Sequence, residues 1–441
     1  MMTNVSTTDP AVLGQLVTFP FSGKVAKNRL LKSAMSERLA TFSPCDPKER
    51  GQPTEELIRL YETWATGGMG IIITGNIQVK KDHLEATGNA IIDRDLPSDY
   101  LEDYRALARA AKTRGSLVLG QLSHPGRQVS LTIQPNPESA SDIEHPSIAG
   151  VLFARPTPLT KEGVRAIVQR FAYAASVLHE ARFDGVQLHA AHGYLLHQFL
   201  SLRTNRRTDE YGGASLPNRA RILLEIIAEI RRAVNDPTFM ISVKLNCQDF
   251  VYPDGVSGQE WIALAQMLEG AGVDLVEVSG GTYESTQSDV QLEHDHTIPS
   301  RRSSQEAYFI NFANHLRPHL PYTKICVTGG FRSVSAMADT VRNGFTDVIG
   351  MARPLAAEPF LVTEMLNGTK SCAKEDKLPP GQIFRIAAAA AQIAEIGNGY
   401  DITDFDNAFN VSRFVARLQK EIPTAMSETF AAGPSMSLGG E

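Results

Sequence analysis

A chain of 441 residues, 42% of them hydrophobic, can bury a large core, either as one big α/β barrel with additions or as two domains. Its net charge of −6 offers no broad basic face, so nucleic acid and anionic membrane are not expected as partners. No apolar run is long enough to span a bilayer and residues 1–20 lack the basic-then-apolar order of a secretory signal, so a cytoplasmic protein is the expectation.

After a polar leader, residues 28–36 (NRLLKSAMS) read as a first buried strand. Helical periodicity follows over 53–66, and GIIITG at 70–75 is a continuous β-branched run of the kind covered on both faces. A helix over 97–114, a strand at 116–122, an insertion rich in Pro and Ser at 123–159, a helix at 160–182 and a strand at 184–188 continue the alternation. Downstream come a helix at 218–234, a strand at 240–245, a helix at 257–271 and a strand at 274–279. A polar loop, a helix at 305–316, a strand at 324–328, a helix at 333–343 and a strand at 347–350 complete the series. Strands and helices alternating at this spacing imply right-handed crossovers and a parallel sheet, and about eight units fit a (β/α)₈ TIM barrel. A doubly wound open sheet is the alternative, against which no strand is followed by Gly-x-Gly-x-x-Gly.

Past Glu358 the pattern changes to an Ala-rich helix at 382–396, an acidic stretch and a helix at 410–419. The predicted division is a barrel over 1–370, a C-terminal helical extension packed on its outside over 371–422, and a disordered tail over 423–441.

Between the strand at 184–188 and the helix near Asn218 lies a long polar segment, the usual form of a working loop. His189 and His192, three residues apart with Tyr194 just beyond, can share one face of a turn. Three chemistries compete for them: two neutral imidazoles donating to a carbonyl with a phenol as proton source, two metal ligands, or histidines satisfying buried neighbours.

The segment resembles the signature of the old yellow enzyme family. The residues that carry the resemblance are His189, His192, Gly193-Tyr194, Gln198-Phe199-Leu200, Asn205-Arg206-Arg207, Asp209, Tyr211-Gly212-Gly213 and Asn218-Arg219. It implies an FMN-dependent oxidoreductase that takes hydride from NAD(P)H and reduces the activated C=C bond of an enone or enal in a ping-pong cycle. Longer members carry a cysteine-ligated iron–sulfur cluster and a second flavin domain. Here Cys45, Cys247, Cys326 and Cys372 lie far apart with no Cys-x-x-Cys or zinc-type spacing, so the single-domain type without cluster or metal is predicted.

In such a barrel the site lies at the C-terminal ends of the strands. Gly329-Gly330 ahead of a helix leaves backbone N–H groups open to a phosphate, and Arg353 after the last strand adds a charge-assisted bond. A flavin needs hydrogen bonds along its pyrimidine edge and a cation near N1, tasks that suit Gln121 and Lys244. The resemblance implies the same two roles, with Lys244 where many members have arginine. It further matches Ala34, Met35 and Ser36 to the family's segment beneath the flavin, Gly75 to its small residue on strand two, and His189 and His192 to the pair that holds the substrate carbonyl. Tyr194 matches the proton donor, and Gly280 and Ala352 fall with the cofactor contacts. Serine at 36 departs from the commoner threonine or cysteine.

Three rivals stand beside this. A Schiff-base aldolase would use Lys244 as nucleophile. A metal-dependent hydrolase would use His189 and His192, but the other strand ends supply no further ligands. A flavin carrier would leave Tyr194 without a task. His197 is read as packed or solvent-exposed and not catalytic, and Cys247, close to Lys244, as pointing elsewhere. Tyr283, His294 and His296, in the loop over 282–302, are candidates for the substrate mouth. The alkene, the choice of NADH or NADPH, and self-association into a homo-oligomer stay open.

Overall fold

The computed structural model describes residues 10–96, 100–148, 151–247, 258–281, 309–310 and 312–425. The loop over 282–302, with Tyr283, His294 and His296, lies outside the described residues, as does 426–441.

Eight parallel strands close a barrel: β1 (Leu30–Lys32), β2 (Ile71–Gln78), β3 (Leu117–Ser123), β4 (Gly185–Ala190), β5 (Met240–Asn246), β6 (Leu275–Ser279), β7 (Lys324–Thr328) and β8 (Val348–Met351). Each pairs with its neighbour in the series, and β1 completes the ring by pairing Leu30 with Ile349 of β8 and Leu31 with Ile71 of β2. That closure replaces the open-sheet alternative. The strands are almost wholly buried because helices cover one face and the barrel interior takes the other, which explains their unbroken apolar runs. Between β2 and β3 the register jumps from Ile73 to Asn76, a bulge that sets Gly75 and Asn76 apart from the ladder at the working end.

The outer helices are started by ordinary means. Thr54 caps α1 (Glu55–Thr66) by accepting from the Leu57 N–H, with Glu55 and Glu56 at its positive end. Leu57, Leu60, Tyr61 and Trp64 make its buried stripe. Thr160 caps α3 (Lys161–Glu180) and Ser333 caps α7 (Val334–Arg342) in the same way, with α2 (Tyr100–Ala111), α4 (Leu195–Leu200), α5 (Leu216–Val234) and α6 (Gly258–Gly270) between them.

The barrel interior has two layers. At the N-terminal end Leu31, Ile73, Leu119, Met240, Leu275 and Val348 form an apolar plug, closed by Phe19 from the ribbon of Val17–Thr18 and Val25–Ala26. Above it the inward positions turn polar, and the site is built there. Beyond β8, α8 (Pro354–Ala357) and α9 (Leu361–Leu366) lead to α10 (Gln382–Asn398), which packs against α1 and α8. The last helix, α11 (Ala408–Ala425), seats Val411, Phe414 and Leu418 on Leu378, Ala388 and Ala391. It continues past residue 422, so the predicted tail does not begin at 423. Among the described residues no helix is long and apolar enough to cross a membrane.

Candidate active site

The polar residues of the signature build the loop that carries the histidines. Beyond β4 the chain turns through His192 at φ 60° and Gly193 at φ 83°. A Cβ on Gly193 would lie 2.0 Å from Gln128 Oε1, while Gln128 Nε2 donates to the His192 carbonyl at 3.0 Å. Only glycine satisfies both the conformation and the space. Gln198 donates to the Gly193 carbonyl (2.7 Å) and accepts from Ser139 Oγ (2.9 Å). Asn205 Nδ2 bridges the carbonyls of Phe199 and Tyr211 at 2.7 and 2.8 Å, and Arg207 grips Asp209 through both ends of its fork. Arg219 is fully buried and donates to the carbonyls of Leu200 (2.9 Å) and Ala214 (2.7 Å) while pairing with Glu260.

Held this way, His189 Nε2 lies 2.9 Å from His192 Nδ1, and His192 Nε2 lies 3.1 Å from Ser279 Oγ. Tyr194, the residue before α4, sets its ring edge-on to His189 at 4.5 Å between centroids. Burial, then the neighbouring His192 and Lys244, pushes the His189 pKa well below its ordinary value, and burial with Lys244 lowers His192 to about 3. Both rings are therefore neutral across the physiological range and can act as N–H donors without carrying charge. The sequence reading has the two rings donating side by side, whereas here they bond to each other; a carbonyl that accepts from both must take the place of that bond. Ser36 Oγ donates to Glu85 at 2.7 Å and accepts from Asn76 Nδ2 at 3.2 Å. Of the two places open to His197, packed or solvent-exposed, the structure has the first: it is buried and accepts from the Gly193 N–H at 2.7 Å.

One polar layer is missed by the sequence reading. Lys244 Nζ lies 2.9 Å from Glu277 Oε1 and donates to Ser33 Oγ at 2.9 Å. Glu277 also accepts from Gln187 Nε2 (2.7 Å) and Thr328 Oγ1 (2.8 Å), and Gln121 Nε2 donates to Gln187 Oε1 at 2.7 Å. Burial by itself raises the Glu277 pKa, but Lys244 and the bonds from Ser33 and Gln187 overcome it, so the net shift is downward. Lys244 thus shares its charge with Glu277 and is engaged on two sides, which suits an electrostatic role better than that of an aldolase nucleophile.

Gly75 is also kept small by its own neighbours. A Cβ there would lie 2.0 Å from Glu37 Oε2 and 2.2 Å from the Met35 carbonyl, and its N–H donates to Glu37 Oε1 at 2.7 Å. Ala34 packs against the apolar plug.

At the far end, Gly329 and Gly330 both have positive φ, 138° and 82°, a backbone that side-chain-bearing residues avoid. With Ala352 and Arg353 they line a cavity of about 750 Å³ whose other wall comes from the C-terminal segment, including Lys374, Gln382 and Arg385. The extension therefore does more than pack on the barrel's outside. Gly280 follows directly on β6, near Ser279. Paired positive-φ glycines beside a guanidinium fit a phosphate, and an amide and a cation at the ends of β3 and β5 fit a flavin's pyrimidine edge, so the residues present fit FMN.

A second cluster brings ring nitrogens of His83 and His124 together with Glu138, all within 4.8 Å. His83 Nδ1 faces Asp82 (2.8 Å), and its Nε2 accepts from the Glu138 N–H (3.2 Å). His124 Nδ1 accepts from the Gly126 N–H at 3.0 Å. With those lone pairs taken by backbone donors, the cluster reads as hydrogen-bonded structure and not as metal ligation.

A family model described as "NADH:flavin oxidoreductase / NADH oxidase family" matches residues 21–371. The NADH-dependent flavin oxidoreductase nadA of Aspergillus parasiticus is 40% identical over 420 residues, spanning 92% of this chain and 90% of that one. The NADPH dehydrogenase of Bacillus subtilis is 31% identical over 338 residues, 76% of this chain and 88% of that one. Among solved structures, an old yellow enzyme homologue from Zymomonas mobilis superposes with a TM-score of 0.64 at 21% identity, covering 82% of this chain and 94% of that one. A 2-naphthoyl-CoA reductase superposes at 0.71 and 22% identity, covering 92% of this chain and 58% of that one. These two show the fold; the family match and the closer relatives show the kinship. The chain belongs to the NADH:flavin oxidoreductase family of old yellow enzymes and is an FMN-dependent oxidoreductase that uses NAD(P)H.

Proposed function

We propose that the protein is an ene-reductase that reduces the activated C=C bond of α,β-unsaturated carbonyl compounds in a ping-pong cycle. The observation that carries this is the pair of buried, neutral imidazoles with a phenol ring against one of them. When bound, FMN supplies the two-electron relay between NAD(P)H and the alkene. The chain's part is to position and to move protons. His189 and His192 hold the carbonyl oxygen and donate to it as negative charge builds there, which draws electron density from the alkene and opens the β-carbon to hydride. Tyr194 delivers a proton to the α-carbon, so hydride and proton together saturate the bond. Gln121 and Lys244 meet the flavin's pyrimidine edge, Ala34, Met35 and Ser36 lie beneath it, Gly75 and Gly280 flank it, and Gly329, Gly330, Ala352 and Arg353 take its phosphate. Residues 1–370 form the FMN barrel in this reading.

The test is the visible spectrum of the purified protein under anaerobic conditions. An oxidised-flavin band that bleaches with NADH or NADPH and returns when cyclohexenone is added supports both half-reactions. A band that bleaches but does not recover with any enone or enal removes the alkene from the proposal and leaves the flavin oxidoreductase.

A further inference from the structure

The cavity at the ends of β7 and β8 has a wall that the family match does not include. That match ends at residue 371, whereas Gln382 and Arg385 face Gly329, Gly330 and Arg353 from beyond it. Arg353 Nη1 donates to Gln382 Oε1 at 2.7 Å. Accepting through its oxygen leaves the Gln382 amide nitrogen, with two N–H donors, available on the same side as the guanidinium. Gln382 is also the first residue of α10, whose N-terminus has no side-chain cap, so the positive end of a long helix begins at this point. In the C-terminal part of the wall Lys374 pairs with Asp404 at 3.0 Å and Arg385 with Asp376 at 3.4 Å, and Arg332 and Glu375 also line the cavity.

We propose that the C-terminal extension completes the cofactor's phosphate site, with Gln382 orienting the Arg353 guanidinium through its oxygen and donating to the phosphate through its nitrogen. This rests on the reading of Arg353 as a phosphate ligand. The extension is then part of the flavin site, and its docking through α10 on α1 and α8 is coupled to cofactor retention.

The experiment compares FMN with riboflavin, which lacks the phosphate, by quenching of flavin fluorescence on the full-length apoprotein. The quantity read is the ratio of the two dissociation constants. Gln382→Leu is expected to cut the preference for FMN about five-fold, the effect of one lost hydrogen bond, with riboflavin affinity unchanged. Gln382→Glu, which sets a carboxylate beside the phosphate, is expected to cut it further. An undiminished preference in both variants overturns the proposal, as does an equal loss for both flavins, which would mark Gln382 as a structural support. Arg353→Ala separates the two levels of inference. If it abolishes the preference while the Gln382 variants keep it, the phosphate reading stands and the role of the extension falls; if it too keeps the preference, both fall.

Discussion

Asn76 Oδ1 lies 3.0 Å from His189 Nδ1, and the orientation of that amide is fixed because its nitrogen faces Ser36 Oγ at 3.2 Å and the Glu85 carboxylate, which can only accept. His189 therefore carries its proton on Nδ1, accepts at Nε2 from His192 Nδ1, and leaves His192 Nε2 to accept from Ser279. Substrate binding has to rearrange this chain of single protons, and Asn76 sets its starting point. Asn76→Ala is expected to lower kcat/KM for an enone by about 10- to 100-fold, as for lost support behind a working histidine, with the flavin content of the purified protein unchanged. Steady-state kinetics beside the flavin-to-protein absorbance ratio measures both.

Because His192 is lowered to about 3 from 6.5, the folded protein binds no proton there while the unfolded chain does as pH falls below 6.5. Its contribution to stability is complete above pH 6.5 and is lost between 6.5 and about 3, and no histidine-type step is expected in kcat/KM near neutrality. A break in the pH profile near 6.5 that disappears in His192→Asn would contradict this.

Glu277 offsets the charge of Lys244, the cation that the proposed function sets at the flavin's pyrimidine edge. Glu277→Gln is expected to raise the flavin potential on the order of 30 mV, equivalent to about 1.4 kcal/mol for a two-electron couple, because an uncompensated cation favours the reduced anion. The same change should destabilise the fold by about 3–5 kcal/mol, since it leaves Lys244 buried without its partner. Dye-linked potentiometry and urea denaturation measure the two effects separately.

Lys32 is fully buried on the outer side of β1, donating to the Ile73 carbonyl at 2.9 Å with its Nζ 4.2 Å from the Trp64 ring centroid. Burial, partly offset by Glu37, lowers its pKa from 10.5 to about 8. Between pH 8 and 10.5 the unfolded chain keeps a proton that the folded chain has released, so this lysine makes stability rise with pH across that window, by about 3 kcal/mol. Lys32→Met should remove that rise and be no less stable than the parent at pH 7, as followed by chemical denaturation in a pH series.

Arg219 belongs to the signature, and what it does in the fold is hold the carbonyls of Leu200 and Ala214 while pairing with Glu260. Arg219→Lys keeps the charge and loses the fork. A loss of about 3 kcal/mol in stability is expected, with KM for NAD(P)H unchanged in the fraction that remains folded, as checked by thermal melting and kinetics.

The barrel is legible in the sequence because its strands are continuous apolar runs, and the histidine loop is legible because its polar residues all serve one loop geometry. Glu277 and Gln187 are not, since a lone polar residue in LVEVS or GVQLH looks like a solvent-facing position until the sheet closes and turns that face inward. A signal was present: Gln187 is two residues before His189, and Ser242 two before Lys244, so both share the inward face of a site residue. Gln382 has no local signal, because nothing in an Ala-rich helix states which strand end it will meet. Helix ends are legible to within a few residues where a cap such as Thr160 or Ser333 marks them, whereas α11 runs to Ala425, beyond the 419 that its pattern suggests, because residues 420–425 carry no stop other than Pro423.

Closing the ring through Leu30 and Ile349 has a consequence for how the chain is made. The first strand has only three residues and finds one of its two edge partners only when the last strand exists. During synthesis the growing sheet keeps an open, strongly apolar edge until residue 351 has emerged, so folding is late, long-range and slow, and the unfinished chain is most exposed to aggregation just before completion.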